Sequence, residues 1–150
     1  MKKLLTLATG LSVATAAVML QPTQAQALPA APATCVYLRE ISTGQRAVRQ
    51  IIALNNSNAN TDFAVPTGRS FSSYVAKLIP ENNSRYTAEV NLKYNDGSSS
   101  RAVSRTIEAR RFYLYNQPFR PPTNRQPFQI NTRITGSRNT AYQVFVLACP

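Results

Sequence analysis

The segment from Arg110 to Pro122 carries the side chains best suited to binding a ligand. It reads RRFYLYNQPFRPP, so cations, aromatic rings and prolines are interleaved. Guanidinium groups hold carboxylate, phosphate or sulfate through paired hydrogen bonds, and aromatic rings stack on sugars, bases or cations. The segment is therefore a candidate binding surface. The alternative is a strand over Phe112–Tyr115, with Phe112 and Leu114 in the core, followed by a rigid proline-rich connection.

An excess of arginine points to an anionic partner. The chain has 17 Lys and Arg and 6 Asp and Glu, which gives a net charge of +11. Between Gly97 and Pro150 there are eight Arg and one acidic residue, Glu108. Compositional bias that serves solubility is the alternative explanation. The candidate anion-binding residues are Arg110, Arg111, Arg120, Arg125, Arg133 and Arg138. Tyr115 and Phe119 are the candidate aromatic contacts, and we expect the loop around Phe119 to be exposed.

The groups that most enzymes use are missing. The chain has no His, which removes the commonest general base and the commonest metal ligand. No glycine-rich phosphate loop occurs, and no two of the six acids are close in sequence. We therefore expect no enzyme, no metal and no cofactor. A hydrolase with a carboxylate pair assembled by folding is the lesser alternative.

The first 27 residues resemble a bacterial-type secretory signal. Lys2 and Lys3 precede an apolar run from Leu4 to Leu20, and Ala25-Gln26-Ala27 matches a small-x-small cleavage site. The run is too short to be a membrane span, and we expect no transmembrane segment after cleavage. The sequence thus predicts export to the periplasm or the extracellular space. Leu28–Thr34 then forms an extended leader, followed by one domain over residues 35–150.

Cys35 and Cys149 lie near the two ends of that domain. In an oxidising compartment such a pair predicts a disulfide, with two free thiols as the alternative. Cys35 opens the first strand and Cys149 ends the last. A bond between them requires these strands to be antiparallel neighbours, or to face each other across one end of the domain.

A period of two dominates the domain. Along Tyr86–Tyr94 every second side chain is apolar, Asn95-Asp96-Gly97 is a tight-turn signal, and Arg101–Ile107 returns as the hairpin partner. Other predicted strands are Val48–Leu54 (with Val48, Ile52 and Leu54 on one face), Phe71–Ile79, Phe128–Ile134 and Ala141–Leu147. The last is apolar on both faces over its second half, which is typical of a central or doubly covered strand.

No sustained helical period follows the signal, and Asn55–Asp62 is predicted to be a polar loop with too few carboxylates for calcium. Seven or eight short strands with regular turn signals predict an all-β fold, a single antiparallel β-sandwich. In strand number and spacing it resembles immunoglobulin-like or fibronectin-like domains. The Cys…Trp…Cys pattern of true immunoglobulin domains is absent, because the chain has no Trp.

These observations favour an exported, non-enzymatic domain that binds an anionic component of the envelope or surface matrix. An anionic polysaccharide or a lipid headgroup fits this expectation, whereas export disfavours nucleic acid as the partner. The second hypothesis is a structural or assembly subunit of a fimbria-like structure that pairs through exposed strand edges. Fimbrial subunits usually bridge cysteines much closer in sequence, which argues against it. The sequence leaves the oligomeric state open.

Signal cleavage gives the first testable prediction. Cleavage after Ala27 should make Leu28 the first residue of the secreted protein, since small residues occupy both positions of the cleavage motif. Mass spectrometry of the intact secreted chain measures this directly. A secreted form that retains Met1, or that carries a lipid on Cys35, would show the prediction to be wrong.

Overall fold

Residues 27–150 are described by the computed structural model, and they form two antiparallel β-sheets packed face to face. The signal Met1–Ala27 lies outside the described residues except for Ala27. Sheet A contains β1 (Val36–Tyr37), β3 (Val48–Ile51), β5 (Ser73–Pro80), β8 (Tyr115–Phe119) and β10 (Ala141–Cys149). Sheet B contains β2 (Arg39–Glu40), β4 (Asn60–Ala64), β6 (Arg85–Lys93), β7 (Ser99–Glu108) and β9 (Gln129–Gly136). The predicted antiparallel β-sandwich is confirmed.

Each sheet has a simple order. In sheet A, β1 and β3 both pair with one side of β10, which pairs with β5, and β5 pairs with β8 at the edge. Sheet B runs β2-β4-β9-β6-β7, with β7 at its free edge. The chain passes from sheet A to sheet B at Leu38, which is fully buried. Among residues 27–150, no helix is long and apolar enough to cross a membrane.

The predicted β6–β7 hairpin is present, and its alternation builds the core. Tyr86, Val90 and Leu92 point inward from β6 and are buried. Tyr86 meets Tyr142 of sheet A edge-on at a ring separation of 6.2 Å, and its hydroxyl donates to the Ala141 carbonyl at 3.0 Å. The two sheets are therefore joined by aromatic packing together with a satisfied buried hydroxyl.

Strand β10 is the centre of sheet A, as its doubly apolar sequence predicts. Phe145, Val146, Leu147 and Ala148 are all buried, although neighbouring residues face opposite sides of the sheet. On the outer side, the Tyr37 ring packs edge-on against Phe145 at 5.8 Å. The Tyr37 hydroxyl donates to the Pro29 carbonyl and thereby holds the leader against this side of the sheet.

Several local predictions are wrong. Leu54 does not share a strand face with Val48 and Ile52, because β3 ends at Ile51 and Leu54 begins an exposed 3-10 turn. The polar loop Asn55–Asp62 contains the start of β4, because Phe63 anchors that strand in the core. Together with β4, the two-residue strands β1 and β2 raise the number of strands within residues 27–150 to ten, whereas the sequence predicts seven or eight.

The alternative interpretation of the Arg110–Pro122 segment, a strand over Phe112–Tyr115 with Phe112 in the core, is also wrong. The strand is β8, which starts at Tyr115 and contains Pro118. Proline lacks an N–H, and β8 tolerates it because an edge strand uses only one side of its backbone for pairing. Phe112 is an exposed turn residue with φ = 59°, a backbone conformation that no strand adopts.

The connections gather at the two ends of the sandwich. Ile51, Pro80 and Ala141 are paired or adjacent in sheet A, so the connections that leave or enter them meet at one end, here called the Ala141 end. These are residues 52–59, 81–84, 109–114 and 137–140. The other end, here called the disulfide end, carries residues 65–72, 94–98 and 120–128 together with Cys35 and Cys149.

The predicted disulfide is confirmed. Cys35 and Cys149 are bonded with their Cα atoms 4.3 Å apart and 114 residues between them in sequence. Val36 pairs with Ala148, so the first and last strands are antiparallel neighbours, which is one of the two arrangements expected from the sequence. The bond therefore ties a two-residue strand to the centre of sheet A.

Removing this bond should lower stability markedly. A crosslink that closes a loop of this length stabilises a protein by roughly 3–5 kcal/mol in the chain-entropy model. We expect Cys149→Ser to lower the melting temperature by about 10 °C or more, and hydrogen exchange to show residues 36–38 opening first, because β1 is so short. Ser72→Ala, which leaves the neighbouring backbone bond to Cys149 intact, is the control. Unchanged melting of Cys149→Ser would contradict this prediction.

Candidate functional site

An open cleft at the Ala141 end, with a volume of about 380 Å³, is the candidate site. Four segments of the chain form it: the end of β3, the β5–β6 connection, the β7–β8 connection and the β9–β10 turn. Its lining residues are Arg49, Ile51, Glu81, Asn82, Arg111, Phe112, Asn139 and Ala141. We refer to it as the Arg111 cleft.

Backbone hydrogen bonds hold the β7–β8 connection in one conformation. Five consecutive N–H groups, at residues 109–113, each donate to an acceptor at 2.7–3.1 Å. The acceptors are, in order, the Ser84 carbonyl, the Tyr115 hydroxyl, the Asn83 side-chain oxygen, the Pro80 carbonyl and the Arg110 carbonyl. Two of the five belong to the β5–β6 connection and a third is Pro80, the last residue of β5. This part of the chain therefore positions the segment and presents Arg111 and Phe112 at the cleft.

Phe112 is held in a costly conformation with its ring in solvent. Its φ of 59° lies in the left-handed region, which costs a non-glycine residue roughly 1–2 kcal/mol, and its side chain is 57% exposed. The Arg111 guanidinium carbon lies 4.5 Å from the centre of this ring. Strained residues persist only where surrounding bonds hold them, and they concentrate at binding and catalytic sites.

Arg49 and Glu81, which also line the cleft, form a salt bridge with two hydrogen bonds. Arg49 Nε lies 3.0 Å from Glu81 Oε1, and Nη2 lies 2.7 Å from Oε2. The hydrogen bond to Glu81, together with its charge, raises the pKa of Arg49. The Asn82 side-chain oxygen accepts the Ala141 N–H at 2.8 Å, which fixes the orientation of the amide. The Asn82 amino group is then available as a donor.

The charge balance of the Ala141 end is positive. Five of the six carboxylates form ion pairs within residues 27–150, and Glu81 and Glu108 at this end are paired with Arg49 and Arg85. Arg110, Arg111 and Arg138 form no ion pair with any residue of the described chain. Three guanidinium groups therefore remain for an external anion.

The structure separates the other three candidate arginines from this group. Arg120 follows β8 at the disulfide end, and Arg133 lies on the outer side of sheet B, 3.4 Å from Glu89. Arg125 Nη2 lies 3.0 Å from Asp96 Oδ2, at the disulfide end. Hydrogen bonds from the Ser98 hydroxyl and N–H, together with Arg125, lower the pKa of Asp96 to about 2. The six arginines do not form a single patch.

The two candidate aromatic residues also differ from expectation. Phe119 is 8% exposed and stacks on Tyr74 at a ring separation of 5.5 Å, so the prediction that it is exposed is wrong. Side chains alternate along β8, and this alternation points Phe119 inward. The strand interpretation over Phe112–Tyr115 ended before Phe119 and therefore did not indicate this direction. Tyr115 is half-buried, and its hydroxyl accepts the Arg110 N–H while its ring contacts Tyr113 at 4.9 Å. Tyr115 thus supports the cleft-forming connection.

Several cleft residues were not identified from the sequence: Arg49, Ile51, Glu81, Asn82, Phe112 and Asn139. Signals for two of them were present. Alternation along β3 places Ile51 on the face opposite the buried Val48, which marks it as an exposed apolar residue. Asn139 follows Gly136-Ser137-Arg138 in a tight turn, and its φ of 66° is one that asparagine tolerates. Their convergence on one cleft depends on sheet topology.

A second, apolar opening lies between the free edges of the two sheets, where β7 faces β8. Its volume is about 40 Å³, which is too small for a ligand larger than a few water molecules. Arg105 of β7 donates to the Gln117 side-chain oxygen of β8 at 3.2 Å and so bridges the entrance. We interpret this opening as the incompletely closed edge of the core.

Comparison with solved structures finds several chains of similar arrangement, two of which are described here. No family model and no curated protein matches the chain. One structure is a mutant of CBM29-2, a family 29 carbohydrate-binding module, with a TM-score of 0.46 and 7% identity, covering 79% of this chain and 92% of that one. The other contains the CBM22-1 and GH10 modules of a Clostridium thermocellum endo-1,4-beta-D-xylanase complexed with xylohexaose. It has a TM-score of 0.44 and 12% identity, covering 76% of this chain and 24% of that one.

The strain at Phe112 gives a stability prediction. In Phe112→Gly, relief of the left-handed conformation should offset the greater freedom of glycine in the unfolded chain, which costs roughly 0.5–1 kcal/mol. We expect the free energy of unfolding to stay unchanged or to rise by up to about 1 kcal/mol, measured by urea denaturation. Phe128→Gly, an exposed residue without a positive φ, should be destabilising. A loss of more than about 1 kcal/mol in Phe112→Gly would contradict the argument.

Proposed function

We propose that this is a non-enzymatic binding domain that holds the phosphate, sulfate or carboxylate groups of an anionic envelope or surface-matrix component. An acidic polysaccharide and a lipid headgroup both carry such groups. The observation that carries the proposal is Arg111, whose guanidinium lies 4.5 Å from the exposed Phe112 ring in an open cleft and pairs with no carboxylate of residues 27–150.

The cleft offers the chemistry that such a ligand requires. Arg111 supplies a planar fork for two oxygen atoms of one anionic group, and the Asn82 amino group is a further donor that lines the same cleft. The Phe112 ring provides an apolar face beside them. Because hydrogen bonds fix the backbone of residues 109–113 before a ligand arrives, binding costs little ordering entropy.

The surroundings of the six carboxylates favour binding over catalysis. Asp62, Glu81, Glu89, Asp96 and Glu108 each lie within 3.5 Å of a cation. Glu40 accepts three hydrogen bonds from Ser42 and Thr43 in its own turn, which lower its pKa. Carboxylates held in this way are acceptors that stabilise the fold, and glycosidase-like chemistry needs one carboxyl group that remains protonated.

Assembly through strand edges, the second hypothesis, has less support. β7 is a free edge ten residues long, which is the feature that such assembly would use. However, its pairing with β6 is interrupted by a bulge at Val90/Asn91, and Arg105 points inward toward β8. Bulges and inward-pointing charges on an edge strand both oppose the addition of another strand.

Export is part of the proposal. A disulfide persists in an oxidising compartment, and Cys35–Cys149 is consistent with the periplasmic or extracellular location that the signal predicts. Anionic polymers and lipid headgroups are the charged surfaces that such a protein meets. Both are presented in many copies, so several arginines can engage at once.

A binding comparison between Arg111→Ala and Arg120→Ala tests the site. Both residues lack an ion pair within residues 27–150, but Arg120 lies at the disulfide end. We expect Arg111→Ala to weaken binding to dextran sulfate, and to vesicles containing phosphatidylglycerol, by about tenfold, because a charged hydrogen bond contributes roughly 1.5–3 kcal/mol. Arg120→Ala should have little effect, and Arg111→Lys should restore only part of the affinity.

Neutral dextran and phosphatidylcholine vesicles are the ligand controls. Raising the salt concentration from about 50 mM to about 500 mM should weaken binding to the anionic ligands, since exposed charges are screened beyond the Debye length. Equal affinity for neutral and anionic ligands would mean that the positive charge serves solubility alone. Equal effects of the two alanine variants would place the binding surface elsewhere.

A further inference from the structure

Exposed apolar side chains concentrate at the Ala141 end. Six large hydrophobic residues are exposed within residues 27–150, and four of them lie at or beside the Arg111 cleft. These are Ile51, Leu54, Phe112 and Tyr113, each between 50% and 59% exposed. The remaining two, Ile41 and Phe128, lie apart from this end, the first beyond β2 and the second beside β9. We call the four residues the apolar rim.

The segments that carry the apolar rim are held by hydrogen bonds. Beyond the bonds of residues 109–113, the Gly136 N–H donates to the Asn56 side chain at 3.0 Å and the Ile52 N–H to the Thr140 carbonyl at 2.8 Å. These bonds fasten the 3-10 turn that begins at Leu54 to the β9–β10 turn. The turns that carry Leu54, Phe112 and Tyr113 are therefore held by hydrogen bonds in the conformation that leaves these side chains in solvent.

We infer that the anionic component is the surface of a lipid membrane, into which the apolar rim inserts while Arg110, Arg111 and Arg138 pair with anionic headgroups. This inference rests on the proposed function, because it assigns the partner of the same cleft. Its basis is the juxtaposition, at one end of the sandwich, of four exposed apolar side chains and three arginines without an ion pair in the described chain.

A hydrated polymer and a bilayer would treat the apolar rim differently. A polysaccharide could stack one sugar face on Phe112, but it would leave Leu54 in water. A bilayer interface removes apolar side chains from water at about 25 cal/mol per Å², and it places headgroup phosphates at the depth where guanidinium groups remain hydrated. Amphipathic surfaces of this kind insert roughly 5–10 Å into the boundary between headgroups and acyl chains.

The absence of tryptophan from the chain allows a direct test. A Leu54→Trp variant carries a single tryptophan in the apolar rim, and an Ile41→Trp variant carries one at a comparably exposed residue outside the rim. With vesicles of phosphatidylcholine and phosphatidylglycerol, we expect a blue shift of the emission for Leu54→Trp and none for Ile41→Trp. Neither phosphatidylcholine vesicles nor dextran sulfate should shift either variant. Unchanged thermal melting shows that both variants are folded.

A second variant separates membrane insertion from anion binding. Leu54→Ser should weaken binding to the anionic vesicles by about tenfold and leave binding to dextran sulfate unchanged, because Leu54 is outside the cleft. Ile41→Ser is the matched control. If Leu54→Trp shows no shift while dextran sulfate binding depends on Arg111, the partner is a polymer: the inference fails and the proposed function stands. If neither vesicles nor dextran sulfate bind in an Arg111-dependent way, both are overturned.

Discussion

Strand β10 is buried on both of its faces, and this burial organises the packing of both sheets. Its second half, from Val144 to Ala148, is apolar on both faces and has to be covered from two sides, and sheet B covers the inner side. On the outer side Tyr37 packs on Phe145, and the leader is tied to Tyr37. The pairing of β10 with β1, β3 and β5 then brings the first and last strands together and sets the position of the disulfide.

The same strand determines where the candidate site forms. Because β10 begins at Ala141, next to the end of β3 and the end of β5, four connections converge there. Their backbone donors and acceptors would be unpaired if each connection stood alone, and they satisfy one another instead. Pro80 and the β5–β6 connection that follows it accept three N–H groups of residues 109–113, and the result is a rigid turn that holds Phe112 in a conformation it would otherwise avoid.

Most carboxylates of the domain are paired with cations. The chain has far more cations than carboxylates, so ion pairing within the fold uses nearly every acid and leaves several arginines over. What these arginines can bind depends on where they lie in the fold. Arg133 contacts Glu89 of its own sheet and Arg125 contacts Asp96 of a neighbouring connection, whereas Arg110, Arg111 and Arg138 lie at the end that also exposes the apolar rim. Positive charge and apolar surface therefore coincide at one end of the domain.

Local patterns in the sequence were sufficient to predict the β-sandwich class, the β6–β7 hairpin, the central position of β10 and the pairing of Cys35 with Cys149. Each follows from a period of two, a turn signal or the position of a residue in its strand. Tertiary structure alone decided the site. The backbone conformation that leaves Phe112 in solvent depends on a hydrogen bond to the Pro80 carbonyl, which lies 32 residues earlier in the chain and comes close because β5 and β8 pair within sheet A. Such bonds between distant residues leave no periodic pattern in the sequence. The candidate arginines could therefore be identified from the sequence, but the sequence did not indicate which of them lie together at the cleft.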